Sequence, residues 1–106
     1  MAKAIKIART SDLPPGSGTT VDAEGQRIAL FNVQGTFYAI DDMCPHSGGP
    51  LGEGDLDEAI VTCPWHGATF DVQSGEVTGP PARTDVRSFH VRVKGNDVLV
   101  ELDSGA

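Results

Sequence analysis

The sequence predicts an all-β fold: an antiparallel β-sandwich or partly open barrel. Three observations carry this. Short runs of alternating apolar and polar residues follow one another along most of the chain, and no segment holds a convincing helical period. Thirteen glycines and seven prolines break these runs into pieces of strand length. At 106 residues, the chain is expected to form one domain, 1–106, with a real but modest core.

Taken in order, Ile5 and Ile7 alternate with Lys3 and Lys6, which predicts a first strand near 3–9. Asp12 to Gly18 contains two prolines and two glycines and reads as loop. Strands follow near 19–23, 27–33 and 36–41, with turns at Glu24-Gly25 and Gln34-Gly35. Gly54 to Glu58 has room for one helical turn, and Glu58 to Thr62 is a short strand. Ala68 to Val72 and Glu76-Val77 flank Gln73-Ser74-Gly75 as a hairpin. The last pair, near 86–93 and 98–102, is joined through Lys94 to Asp97. The densest glycine and proline fall within about 42–80, which is expected to form a smaller lobe on a base of about 1–41 and 81–106.

That lobe carries the chemistry. Cys44-Pro45-His46 and Cys63-Pro64-Trp65-His66 repeat a cysteine followed closely by a histidine, sixteen residues apart. They use both cysteines of the chain and two of its three histidines. Two thiolates and two imidazoles suit one zinc, or one [2Fe–2S] cluster with the cysteines on one iron and the histidines on the other. A zinc knuckle spaces its ligands by two to four residues, so the single residue between Cys44 and His46 is tight for one ion and favours the cluster. A Cys44–Cys63 disulfide would leave the matched histidines unexplained. His90 lies in an alternating run away from any cysteine, so it reads as a structural or solvated histidine outside the site.

Cys44-x-His46 and Cys63-x-x-His66 resemble the Rieske [2Fe–2S] motif. Gly49-Pro50-Leu51 and Gly67-Ala68-Thr69-Phe70-Asp71 agree with it, and Gly79-Pro80-Pro81 is similar to the proline loop that covers the cluster. The likeness runs from about Ile5 to Leu102. It implies a Rieske-like fold with a small cluster-binding lobe and one [2Fe–2S] cluster held by Cys44, His46, Cys63 and His66. It also implies Nδ1 coordination by the two imidazoles, whose outer edges lie near the surface.

No nucleophile stands beside a base, no phosphate cradle appears, and no second His/His/carboxylate set is available for a mononuclear iron. The chain is therefore expected to be an electron carrier rather than an enzyme. High-potential respiratory relatives of the motif carry serine and tyrosine where this chain has Ala68 and Phe70, together with an extra cysteine pair that it lacks. Their hydroxyls donate to cluster and cysteine sulfur, so a potential toward the low end of the roughly −150 to +300 mV Rieske range is expected here.

The formal net charge of −7 argues against nucleic acid and anionic membranes as partners and suits a basic protein surface, although acidity also serves solubility alone. No apolar stretch approaches spanning length, and the N-terminus lacks a secretion signal, so a cytoplasmic location is expected. The leading expectation is a monomeric Rieske-type ferredoxin that shuttles electrons from an NAD(P)H-dependent flavoprotein reductase to a terminal oxygenase. Both partners would dock transiently near His46 and His66, with Pro45, Trp65 and Pro81 as apolar neighbours. The alternatives are the small subunit of an assimilatory nitrite reductase and a zinc-stabilised interaction domain.

Overall fold

The computed structural model describes residues 2–45, 48–65, 67–80 and 82–103. Eleven strands among them form three antiparallel sheets. They are β1 (Ala2–Arg9), β2 (Gly18–Ala23), β3 (Gln26–Val33), β4 (Thr36–Asp41), β5 (Asp55–Asp57), β6 (Ile60–Thr62), β7 (Thr69–Asp71), β8 (Val77–Gly79), β9 (Ser88–Phe89), β10 (Val91–Lys94) and β11 (Asp97–Asp103). The sheet orders are β1-β11-β10, β2-β3-β4-β9 and β5-β6-β7-β8, and the sheets do not close into a barrel.

The β2-β3-β4-β9 sheet is the middle layer, and its central strand shows why. β3 is buried on both faces: Ala29 and Phe31 enter one hydrophobic core while Ile28 and Leu30 enter another. A strand alternates its side chains between faces, so an unbroken apolar run here demands a covering layer on each side. The first core joins the middle sheet to Leu51, Val61, Phe70 and Val72 of the β5–β8 region and includes both cysteines. The second joins it to Val98, Val100 and Leu102 of β11.

Two tight turns fix the register of the middle sheet. Glu24 and Gly25 have φ of 53° and 86°, and Gln34 and Gly35 have φ of 54° and 95°. Two successive positive φ values make the type I′ turn, whose twist matches that of the strands it joins. Each turn is tied down by the residue two before it, since Gly25 N–H donates to Asp22 Oδ1 at 2.8 Å and Gly35 N–H to Asn32 Oδ1 at 2.7 Å.

The predicted strands near 3–9, 19–23, 27–33, 36–41 and 98–102 are all present within one or two residues. Two expectations are corrected. Gly54 to Glu58 forms no helical turn, because Asp55, Leu56 and Asp57 alternate out, in, out and pair with β6 as an edge strand. A one-turn 3-10 segment lies just before it, at Leu51–Glu53. The run 86–93 is also not one strand. Ser88-Phe89 pairs with β4, Val91–Lys94 pairs with β11, and the chain passes from one sheet to the other at His90. Partner choice by distant strands decides that break, and the local alternation does not mark it.

Candidate metal centre

The two cysteine loops have the same backbone frame. Cys44 N–H donates to Gly49 O at 2.9 Å, and Gly48 N–H returns to Cys44 O at 2.7 Å. Cys63 N–H donates to Ala68 O at 2.7 Å, and Gly67 N–H returns to Cys63 O at 3.1 Å. The closing glycines match as well, with φ of +77° at Gly48 and +81° at Gly67, the left-handed region that a residue with a Cβ seldom enters. Both histidines of the motif, His46 and His66, sit within these frames by sequence and lie outside the described residues, as do Ser47 and Pro81.

Cys44 and Cys63 are buried, neither is in a disulfide, and both belong to the first core. One close approach holds the loops together: a methyl group on Gly49 would sit 2.9 Å from Cys63 Sγ and 3.0 Å from Trp65 Cγ. The first loop thus lays bare backbone against the second loop's sulfur. Buried thiols on two matched, touching loops are soft donors shielded from water, and they fit an iron–sulfur group well. Ala68 and Phe70, the positions without hydroxyls, are fully buried in that same core.

A buried carboxylate braces the first loop. Asp42, two residues before Cys44, is 1 % exposed. Its Oδ1 accepts from Thr20 Oγ1 at 2.7 Å and from Gly52 N–H at 2.8 Å. Its Oδ2 lies 2.9 Å from Arg27 Nη2 but receives no aligned hydrogen bond, so charge alone compensates it there. Asp42 therefore ties β2 and β3 to the start and the end of the Cys44 loop. Sequence reasoning missed it, because Asp41-Asp42 at a strand end looks like solvated charge; only the third dimension supplies its partners.

The surface around the loops is apolar. Met43 and Trp65 are 62 % and 59 % exposed, and Pro45 and Pro64 are exposed beside them. Trp65 combines packing and exposure, with part of its ring against Gly49 and most of it in solvent. Met43, unlike Trp65, was not foreseen. His90 is exposed, in keeping with the solvated reading, with its ring 3.3 Å from Glu101 Oε2. Among the described residues no helix is long and apolar enough to cross a membrane.

Comparison with known proteins agrees with this geometry. The Rieske [2Fe-2S] domain matches residues 3–90. The chain is 36 % identical over 102 residues to the biphenyl dioxygenase ferredoxin subunit of Pseudomonas sp. (strain KKS102), covering 95 % of this chain and 94 % of that one. It is 40 % identical over 99 residues to the 3-phenylpropionate/cinnamic acid dioxygenase ferredoxin subunit of Escherichia coli (strain K12), covering 92 % of each. Among solved structures it is similar to the complex of reduced oxygenase and oxidized ferredoxin in carbazole 1,9a-dioxygenase, at 35 % identity and a TM-score of 0.86 over 92 % of this chain and 91 % of that one. With matched thiol loops, an all-β frame and a family match over most of its length, the chain belongs to the Rieske [2Fe-2S] domain family and carries a Rieske-type cluster.

Proposed function

We propose that this chain is the ferredoxin component of an oxygenase system that acts on aromatic or similar compounds. It takes electrons one at a time from an NAD(P)H-dependent flavoprotein reductase and delivers them to a terminal oxygenase. The observation that carries this reading is the pair of matched loops that bring Cys44 and Cys63 together against Gly49. In this reading Cys44 and Cys63 ligate one iron, and His46 and His66 ligate the other. When bound, the cluster supplies a one-electron acceptor and donor.

The chain's own residues set the conditions. The first core excludes water from the sulfur side. Glycine at 49 lets the loops close, and Asp42 holds the Cys44 loop to the middle sheet. Ala68 and Phe70 offer no hydroxyl to sulfur, so the more negative reduced state gains no hydrogen bond from them, which supports a low potential. The dioxygenase ferredoxins among its relatives support the same role, and the proposed carrier is monomeric and cytoplasmic.

An absorption spectrum of the purified protein before and after dithionite tests the reading, together with iron and acid-labile sulfide analysis. A red-brown protein with about two of each per chain and a paramagnetic signal on one-electron reduction is expected. A colourless protein with one zinc per chain would overturn it and favour the interaction-domain alternative. Stable copurification with a large reductase subunit would instead favour the nitrite reductase small subunit.

A further inference from the structure

Asp41 and Asp42 are adjacent carboxylates in opposite environments. Asp41 is partly exposed, and Arg87 satisfies both of its oxygens with aligned hydrogen bonds. Arg87 N–H and Nε donate to Oδ2 at 2.8 and 3.2 Å, and Nη2 donates to Oδ1 at 3.0 Å. Asp42 is 1 % exposed, and Thr20 and Gly52 both donate to its Oδ1 alone. Its Oδ2 has only the charge of Arg27, 2.9 Å away and without an aligned hydrogen bond. The Arg27 side chain is 56 % exposed, so water and salt weaken its field while the carboxylate lies in the interior. A buried negative charge is therefore left only partly offset.

That charge lies beside a thiol. Met43 bridges Pro50, Asp42 O accepts from Leu51 N–H at 2.7 Å, and Cys44 N–H donates to Gly49 O at 2.9 Å, so 42–44 runs as a short paired stretch. Met43 is turned to solvent, whereas Asp42 and Cys44 on either side of it are buried. Two residues of extended chain span at most about 7 Å, which sets the separation of the two backbones.

We propose that Asp42 and Arg27 are an unequal charge pair that sets the reduction potential of the group Cys44 holds: the buried carboxylate lowers it, and the exposed guanidinium limits how far. This rests on the electron-carrier reading and adds a fixed charge to the missing hydroxyls of Ala68 and Phe70. One-electron reduction adds a negative charge, which a nearby carboxylate opposes and a nearby guanidinium favours.

Redox titration of the holoprotein, followed through its visible spectrum, tests this. Asp42→Asn keeps an oxygen for Thr20 and Gly52 and removes the charge. At a fixed potential its ratio of reduced to oxidised protein should rise about threefold, a midpoint raised by about 28 mV. Arg27→Gln should shift the ratio the opposite way, an effect that a purely mechanical brace would not produce, since Arg27 makes no aligned hydrogen bond to Asp42. The double variant Asp42→Asn/Arg27→Gln should stay above the parent, because no buried charge remains to be offset. Asp41→Asn removes the same charge from the screened neighbour and should move the midpoint less than Asp42→Asn does. An unchanged or lowered midpoint in Asp42→Asn, an unchanged or raised one in Arg27→Gln, or equal shifts in the two aspartate variants would overturn the proposal. If Asp42→Asn fails to hold the cluster, the surface variant Arg27→Gln decides alone. A parent protein that takes up no electron at all would overturn the carrier reading itself.

Discussion

The two hydrophobic cores on either side of the middle sheet are built differently. The second core is aliphatic and aromatic throughout, filled by Ile28, Leu30, Phe37, Val98, Val100 and their neighbours. Long strands close it, β1 against β11 and β2 against β3 against β4. The first core contains Cys44 and Cys63 among its buried residues, and its outer wall is four strands of three residues each. Such short strands offer few ladder hydrogen bonds, so that wall depends on what the two thiol loops hold. One core is closed by long strand ladders alone, and in the proposed reading the other also holds the cofactor and leans on it.

The largest effect should come from parting the two loops. Gly49→Ala places a methyl 2.9 Å from Cys63 Sγ, closer than a carbon and a sulfur can sit. The variant is expected to lose the visible spectrum of the cluster. Amide exchange should then show protection lost in β5 to β8 and kept in β3, β4 and β11. Uniform loss of protection would mean that the two cores form one cooperative unit.

Asp42 joins the middle sheet to the Cys44 loop, and Asp42→Ala tests the bridge. It removes two hydrogen bonds to a carboxylate and leaves the buried Gly52 N–H without its acceptor, which should cost about 3 kcal/mol in chemical denaturation of the holoprotein. Cluster retention should fall with it, because the Cys44 loop loses its tie to β2 and β3. A loss below about 0.5 kcal/mol, within the range of an ordinary surface substitution, would show that the bridge does not matter.

Smaller shifts should follow from polar atoms added within the first core. Ala68→Ser and Phe70→Tyr each supply a hydroxyl where the buried wall now has none. A hydrogen bond to a charged acceptor contributes about 1.5–3 kcal/mol, and only the part that strengthens on reduction moves the potential. With about 59 mV corresponding to about 1.4 kcal/mol for one electron, each change should raise the midpoint by tens of millivolts, with about 100 mV as a ceiling. Redox titration of the singles and the double variant measures this. An unchanged or lowered midpoint in a correctly folded variant would mean that these hydroxyls do not reach sulfur.

The smallest effect is expected at the β3–β4 turn, whose Gln34 and Gly35 belong to neither core. Gln34 has φ of 54° at the first position of its type I′ turn, where asparagine is favoured. Gln34→Asn should raise the thermal midpoint modestly, by about 0.5 kcal/mol of stability, and leave the spectrum and potential unchanged. His90→Ala should likewise spare the spectrum, since its ring lies in solvent beside Glu101. A changed spectrum in either variant would mean that the middle sheet and the cofactor are coupled more tightly than the two-core picture allows.

The strands of the middle sheet were legible because each is a local pattern: apolar runs closed by Glu24-Gly25 and Gln34-Gly35, residue pairs that turn a chain wherever they stand. The thiol loops were legible for a different reason. Ligand chemistry restricts residue type so strongly that Cys44, His46, Cys63 and His66 stand out as the proposed ligands without any coordinates, and the structure adds the matched backbone frames around the two cysteines. Tertiary structure decided what depends on distant partners. It divided 86–93 between two sheets at His90, and made an edge strand of 55–57 where local sequence left room for a turn. It also turned Asp42 from one of fifteen acids into a buried brace, because a carboxylate is satisfied by whichever donors arrive beside it, and Thr20, Arg27 and Gly52 are brought there by three different parts of the chain.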